Sequence, residues 1–404
     1  MRNFVYIIAE YNPPHNGHVY LISEARRMYP GAVVTAIMSG HFTERGSPAV
    51  TDKFTRARAA LAIGCDLVLS LPFPFCAASA ENFARGGVSV ASSFARAFPG
   101  ARHALVFGSE CGSTELLQLT AKRVSEESFR ARLYARTRGG HNAREIQSLY
   151  AELYGADAAR VMDGANDALG IEYIRAIEEE GAPIEPCAVR RVGAGHDSAY
   201  GERIGGTNYA SASAIRELLL RGDKDTARTL VPAAALDVID SAKHGFSDEE
   251  RIGTSVLALL RMTPPDSADS FAECGGGVGR RLISAALASG TYRELIARAA
   301  TKQYTNARLR RAALYAALGI DVSELTESPH YTQLLAANDA GIKMLHDYDG
   351  ALPVLTKAAD SGKLSAEAQR QIALEARADR LYTLAFDPAL PADTFLRTSP
   401  YIDL

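Results

Sequence analysis

Two histidines three positions apart, in the run AEYNPPHNGHVYLI (Ala9–Ile22), are the side chains of this sequence best suited to chemistry. His15, Gly17 and His18 form an HxGH pattern directly after an apolar run and directly before an amphipathic one. Two imidazoles at that spacing can donate to the same polyanion. Gly17 lets the backbone come close to it, Pro13 and Pro14 stiffen the approach, and the N–H groups opening the next helix would point the same way. Such donors suit displacement of pyrophosphate from an α-phosphate, where charge builds on the phosphate oxygens. By analogy with an oxyanion hole, each fixed donor there contributes about 3–4 kcal/mol. A helix cap or half of a metal site would also use two histidines. A metal site needs further convergent ligands, which the sequence does not display, and a cap leaves YNPP and Gly17 on a strand-to-helix turn without a reason. A second stretch, NYASASAIRELL, places Ser211 and Ser213 just before a helical run beginning near Ile215. Alone it reads as a serine N-cap; paired with HxGH it reads as the other jaw of a triphosphate clamp. The polar loop MSGHFTERGSPAV contributes Ser39, His41 and Arg45, and Lys53 opens the next helix. These four are candidates for a carboxylate or pyrophosphate pocket, although Gly40, Gly46 and Pro48 would suit any solvated surface turn.

The elements that would position these residues are legible as alternating periods. FVYIIAE, AVVTAIMS, CDLVLSLP and HALVFGS are short runs, apolar at nearly every position, separated by helical stretches such as HVYLISEARRMY and KFTRARAALAIG. That is a βαβαβαβ pattern, and strands apolar on both faces predict a Rossmann-like, doubly wound parallel sheet with ligands at its carboxyl ends. APIEPCAVRRV predicts one further strand, and Ser113 to about Glu180 reads as mostly helical. From about Asp223, Ala, Leu and Arg dominate, strand signals vanish, and TPPD and ECGGGVG break up helical stretches. The expected organisation is an α/β nucleotide-binding domain over 1–222 and an α-helical domain over 223–404.

Composition limits the class. The 404 residues are 47% hydrophobic and 23% charged, and no apolar run approaches the roughly 20 residues that span a bilayer. The N-terminus lacks a longer apolar core and a small-residue cleavage site, so a cytoplasmic location is expected. Five scattered cysteines without a CxxC (Cys65, Cys76, Cys111, Cys187, Cys274) predict reduced thiols and no structural metal. A formal charge of −3 leaves nucleic acid open, because phosphate contacts depend on local charge. From Gly279 to Ala312 the chain carries Arg280, Arg281, Arg293, Arg298, Lys302, Arg308, Arg310 and Arg311 against one acid, Glu294, with Tyr292 and Tyr304 interleaved. This predicts a local cationic surface, either a solvated helix face or a contact for an RNA backbone.

Taken together these residues resemble the HIGH-type nucleotidyltransferase superfamily and, more narrowly, the tRNA(Met) cytidine acetate ligase family. The words that carry the resemblance are EYNPPHNGH, MSGHFTERGSPAV, GCDLVLSLPF, NFARGGVS, FGSE, ANDALGIEYI, ASASAIR and KQYTNARLRR, in the family's order over most of the chain. The resemblance implies ATP-dependent acetylation of the wobble cytidine of elongator tRNA(Met) at N4, through an acetyl-adenylate, with acetate as co-substrate and Mg²⁺ accompanying the triphosphate. Matched motif by motif, the ATP-contacting residues would be Ile8, Ala9, Glu10, Tyr11, Asn12, Pro13, Pro14, His15, Asn16, Gly17, His18, Val19, Tyr20 and Leu21, then Gly108 of FGSE, Asn166 of ANDALG and Arg191 of VRRV. Ser211 and Ser213 would join them, His15 and His18 would be catalytic, and Arg280, Arg281, Lys302, Arg308, Arg310 and Arg311 would meet tRNA. Two positions depart from the pattern: Asp167 stands where a second Asn is expected, and Ser79 where a Lys is common. Two rival readings remain at this point. One is a small-molecule adenylyltransferase of the phosphopantetheine type, which would need no helical region with a basic stretch; the other is an RNA-binding protein whose nucleotide site is regulatory, which would need no paired histidines and serines.

Overall fold

The computed structural model describes residues 2–137, 143–193, 202–301 and 303–403. Its strands, in chain order, are β1 (Asn3–Ala9), β2 (Val33–Ser39), β3 (Leu67–Leu71), β4 (Arg102–Ser109), β5 (Glu185–Arg190), β6 (Glu202–Ile204), β7 (Thr207–Tyr209), β8 (Thr332–Asn338), β9 (Val354–Leu355) and β10 (Tyr401–Asp403). One sheet runs β10-β8-β3-β2-β1-β4-β5, with β9 beside β8; β6 and β7 form a separate hairpin.

The predicted parallel core is present. β1 pairs in parallel with β2 from Phe4 opposite Val33 to Ala9 opposite Met38, and with β4 on its other side. β3 and β5 extend the two flanks in parallel. The apolar character of these strands follows from burial on both faces: Val5, Tyr6, Ile7, Val34, Ala36, Ile37, Leu67, Val68, Leu69, Leu105 and Val106 are all sealed from solvent. After β3 the chain crosses to the far side of β1 to lay down β4. The strand order therefore reverses between β1 and β4, and that is where a doubly wound sheet opens a crevice at its carboxyl ends.

The expectation that strands vanish after Asp223 is corrected. Helices do fill the chain from Lys224 to Thr326, but TQLLAAN then returns to the sheet as β8, antiparallel to β3, and the C-terminal Tyr401–Asp403 adds β10 beside it. A lone seven-residue apolar run between helical stretches does not reveal its partner; the exposed edge of β3 supplies it. The part after residue 222 thus shares the core of the first part. The long helix Ala366–Tyr382 seals the join with Gln371, Glu375 and Asp379, all buried. Among the described residues, no helix is long and apolar enough to cross a membrane, and Cys65, Cys76, Cys111, Cys187 and Cys274 are all free thiols.

Candidate functional site

The helix Asn16–Met28 begins at the carboxyl end of β1, and His15 is its N-cap. His15 Nδ1 accepts the Gly17 N–H (3.1 Å), and His18 Nδ1 accepts the N–H of His15 (3.1 Å). This is a capping box built from two imidazoles. It also explains Gly17: a Cβ there would stand 2.9 Å from His15 Cε1. The rings lie 3.8 Å apart between centroids, and Tyr11 meets the His18 ring edge-on at 4.8 Å. Because both Nδ1 atoms accept backbone protons, each neutral ring carries its own proton on Nε2. Burial holds the His15 imidazole down to about 3, reinforced by Arg191 and Arg216. Burial, His15 and Arg191 act on His18 in the same direction. The pair is therefore two uncharged N–H donors beside two guanidinium groups. The cap reading and the clamp reading are compatible, since one ring nitrogen serves the helix and the other is left for a ligand.

The Ser-rich turn is brought to the same place. Ser211 caps the helix Ala212–Leu220, its Oγ accepting the Ala214 N–H at 3.2 Å. Ser213 Oγ accepts from Arg216 Nη2 (3.0 Å), while Arg216 Nη1 donates to the Asn12 carbonyl (2.8 Å). Arg216 thus ties the two jaws together. It was not among the residues expected at the site; its proximity to His15 is visible only in three dimensions. Asn16 makes a second tie, donating from Nδ2 to the Asn208 carbonyl in β7 (2.8 Å). Ile8, Tyr11 and Asn12 are buried, Asn12 Oδ1 accepting from the Val50 N–H at 2.7 Å, and Val19, Tyr20 and Leu21 pack against the core.

On the other side of the crevice, Gly108 lies against the Arg191 side chain, where a Cβ would be 3.3 Å from Arg191 Cγ. Arg191 itself is exposed and close enough to both imidazoles to depress them. Asn166 donates to Glu110 Oε1 (2.6 Å), and Glu110 Oε2 accepts the Asp167 N–H (2.9 Å), which places a carboxylate at the N-terminus of the helix Ala165–Glu180. Asp167 is buried with both oxygens used, one by the Ser109 hydroxyl and one by the Cys111 N–H (2.9 Å). The departure from Asn therefore supplies two acceptors where two donors converge. Ser79 stands at the N-cap of the helix Ala80–Ala97 without a side-chain capping bond.

The acetate or pyrophosphate pocket expected from Ser39, His41, Arg45 and Lys53 is not assembled as expected. Arg45 is exposed and electrostatically coupled to Glu44 and Arg216. The other three are sealed. Lys53 Nζ lies 2.8 Å from Glu375 Oε1 and 3.1 Å from Asp379 Oδ2, His41 Nδ1 lies 2.6 Å from Asp379 Oδ1, and Ser39 is fully buried. The helix Ala366–Tyr382 supplies both carboxylates, some 330 residues later in the chain than the loop, so the local sequence held no sign of this pairing. Burial alone would raise the Asp379 carboxyl, but Lys53 and His41 outweigh it and hold it at about 2; burial outweighs Asp379 at His41 and lowers that imidazole.

These directions fix a pH dependence. His15, His18 and His41 are all held below their ordinary 6.5, so the unfolded chain binds more protons below that pH, and stability falls as pH drops through it. The buried His41 contributes up to about 1.4 kcal/mol per pH unit until its own lowered value is reached. Asp379, depressed from 3.8, adds a further loss below about pH 4. Urea unfolding across pH 8 to 3.5 should therefore give a flat free energy above 7, a decline from 6.5 and a steeper one below 4. Constant stability from 7 to 5 would contradict the neutral-histidine assignment.

The basic run is corrected as well. Arg280 pairs with Asp269 (3.3 Å), Arg310 with Glu249 (3.0 Å), Arg308 with Glu273 (3.7 Å), and Arg281 donates to the Ala299 carbonyl (2.6 Å). Arg311 is buried between Glu273 (3.1 Å) and Glu44 (3.5 Å), joining the helix Asn306–Leu318 to the loop after β2. Lys302 lies outside the described residues. Counting acids only within the run missed those contributed by other segments, and the surface is far less cationic than its sequence.

The largest omission of the sequence reading is Arg56. It is fully buried in the helix Lys53–Ala62, forms no ion pair among the described residues, and donates to four carbonyls: Thr51 (3.0 Å), Glu10 (2.7 Å), Ser39 (3.2 Å) and Gly40. It thereby fastens the loops leaving β1 and β2, the two strands beneath the histidine turn.

A switch point that carries a histidine capping box beside two arginines is suited to hold a nucleoside triphosphate. The model of the HIGH Nucleotidyl Transferase family matches residues 2–394, and the chain belongs to that family. Within it, the chain is 36% identical over 346 residues to the tRNA(Met) cytidine acetate ligase of Syntrophotalea carbinolica, covering 83% of this chain and 80% of that one. It is 30% identical over 400 residues to that of Acetivibrio thermocellus, covering 94% of each. The crystal structure of Thermotoga maritima TmcAL bound with alpha-thio ATP matches it with a TM-score of 0.88 at 26% identity over 99% of both chains. The chain is a member of the tRNA(Met) cytidine acetate ligase family.

Proposed function

We propose that this protein is an ATP-dependent ligase that acetylates N4 of the wobble cytidine of elongator tRNA(Met) in the cytoplasm. The observation that carries the site assignment is the imidazole pair, neutral and with both Nδ1 atoms committed to the helix, beside Arg191 and Arg216 at the β1/β4 switch point. In the first step an acetate oxygen attacks the α-phosphorus of ATP; the new P–O bond forms as the bond to pyrophosphate breaks, giving acetyl-adenylate. The Nε2–H groups of His15 and His18 donate to the phosphate oxygens as charge builds on them, and Arg216 and Arg191 neutralise the departing pyrophosphate. Neutral donors suit the task because their burial is already compensated without a counter-ion. In the second step the cytidine amine attacks the acetyl carbonyl carbon, AMP leaves with the electron pair of the broken bond, and the amine loses a proton to solvent. Of the four pocket candidates, Arg45 alone is exposed to meet a soluble anion. Among the described residues no cluster of three or more His, Cys, Asp or Glu side chains could hold a cation, so Mg²⁺ would be held by triphosphate oxygens and water and would supply charge neutralisation.

The decisive assay supplies ATP, labelled acetate and total tRNA, followed by digestion of the tRNA to nucleosides. Labelled N4-acetylcytidine formed without acetyl-CoA, with one AMP and one pyrophosphate per acetyl group, is the expected result. Pyrophosphate exchange that depends on a phosphorylated metabolite instead of acetate would replace this reading with the small-molecule adenylyltransferase.

A further inference from the structure

The second half-reaction requires the cytidine amine to reach a carbonyl carbon lying over the histidine turn, so the RNA strand has to cross the mouth of this crevice. The run 280–311, with its arginines paired to acids or carbonyls, offers few free charges for phosphate. The crevice mouth differs. Arg45, Arg191 and Arg203 are all exposed there, and none forms an ion pair among the described residues. Arg191 is near enough to the histidines, and Arg45 to Arg216, for their charges to act there.

Arg203 stands in β6, directly opposite Asn208 of β7, and cross-strand partners project to the same face of a hairpin. The Asn208 carbonyl is the group held by Asn16 Nδ2 at 2.8 Å, one residue from His15. The hairpin is therefore bolted to the catalytic turn through its backbone. Its other anchor is Tyr209, which packs over Gly193, two residues beyond Arg191. The turn between the strands is Gly205–Gly206, with φ of 59° and 87°, the conformation that a two-residue hairpin turn demands and that glycine adopts without strain. Residues 203–207 are all exposed, including Ile204 beside the turn. A two-stranded ribbon thus projects from the rim of the site: β7 packs onto the molecule, whereas Arg203, Ile204 and the turn stay in solvent.

We infer that the β6–β7 hairpin is the RNA-docking element of this enzyme: it receives a single-stranded RNA segment, with Arg203 on a phosphate and Ile204 against an unstacked base, and delivers the reacting cytidine to the adenylate. The inference rests on the ligase reading. Single-stranded loops are the part of an RNA whose bases can be splayed out in this way.

The test uses the full chain with ATP, acetate and tRNA. Arg203→Ala and Arg203→Glu are compared with Arg280→Ala, whose arginine is already paired with Asp269. Acetate-dependent pyrophosphate exchange without RNA should be unchanged in all three. tRNA acetylation at subsaturating tRNA should fall roughly 5- to 20-fold in Arg203→Ala and further in Arg203→Glu, with the log–log salt slope of tRNA binding reduced by about one. Arg280→Ala should match wild type. If neither Arg203 variant alters tRNA affinity or its salt slope, or if Arg280→Ala alone weakens binding, the hairpin is not the docking element. Loss of exchange in Arg203→Ala would also overturn it, since the residue would then serve ATP. A wild-type protein that makes no acetylcytidine at all overturns the ligase reading itself, a result distinguishable from each of these.

Discussion

His18→Ala is expected to lose at least a hundredfold in acetate-dependent pyrophosphate exchange. One preorganised donor to a developing phosphate charge contributes about 3 kcal/mol, and its loss appears in the rate. The same side chain accepts the His15 N–H, so alanine also breaks the capping box, at roughly 0.5–2 kcal/mol of stability. The two effects separate in a second variant. Glutamine at the third helical position is an ordinary capping-box partner, so His18→Gln should keep the melting temperature near wild type while leaving the exchange rate as low as in alanine. If His18→Gln retains near-wild-type exchange, the imidazole is a helix cap alone and the phosphate role of the pair fails.

Arg56→Leu should cost about 3–5 kcal/mol in unfolding free energy. The guanidinium answers four carbonyls, three through bonds closed to water and that of Glu10 through a part-buried one, and leucine removes this donor from all of them. Arg56→Lys keeps the charge but replaces a planar fork with one ammonium that cannot span three chain segments, so it should recover only part of the loss. Because two of the carbonyls belong to Glu10 and Ser39, at the exits of β1 and β2, the lysine variant should also bind ATP more weakly than its stability alone would suggest. Guanidinium titrations and nucleotide binding on the same samples check both statements. A leucine variant within 1 kcal/mol of wild type would mean that water enters and satisfies the carbonyls, and that Arg56 does not hold the site together.

The sequence alone determined the parallel half of this fold and the capped histidine turn at its switch point. Both signals are local. Strands covered on both faces must be apolar at nearly every position, as FVYIIA and LVLSL are, and a histidine capping box is written within four residues. The Ser211 turn was equally legible, because a cap depends only on its own first turn. Three features were decided by tertiary structure, and each is a pairing between distant segments. TQLLAAN became a strand because β3 had an unpaired edge to offer. Lys53 and His41 became interior groups because Asp379 and Glu375 arrive from the helix Ala366–Tyr382, and a charge beside an opposite charge can be buried where a lone one cannot. The arginines of 280–311 looked like a bare cationic surface because their partners, Asp269, Glu249, Glu273 and Glu44, lie outside that run. Arg56 and Arg216 escaped notice for the same reason: Arg56 donates to four carbonyls and Arg216 reaches the other jaw through the Asn12 carbonyl, and a carbonyl leaves no mark on the residue type that carries it. Propensity, capping and burial periodicity act over a few residues and can be read from the chain. Electrostatic partnership acts through space, and only the folded arrangement decides which charges remain free to meet a ligand.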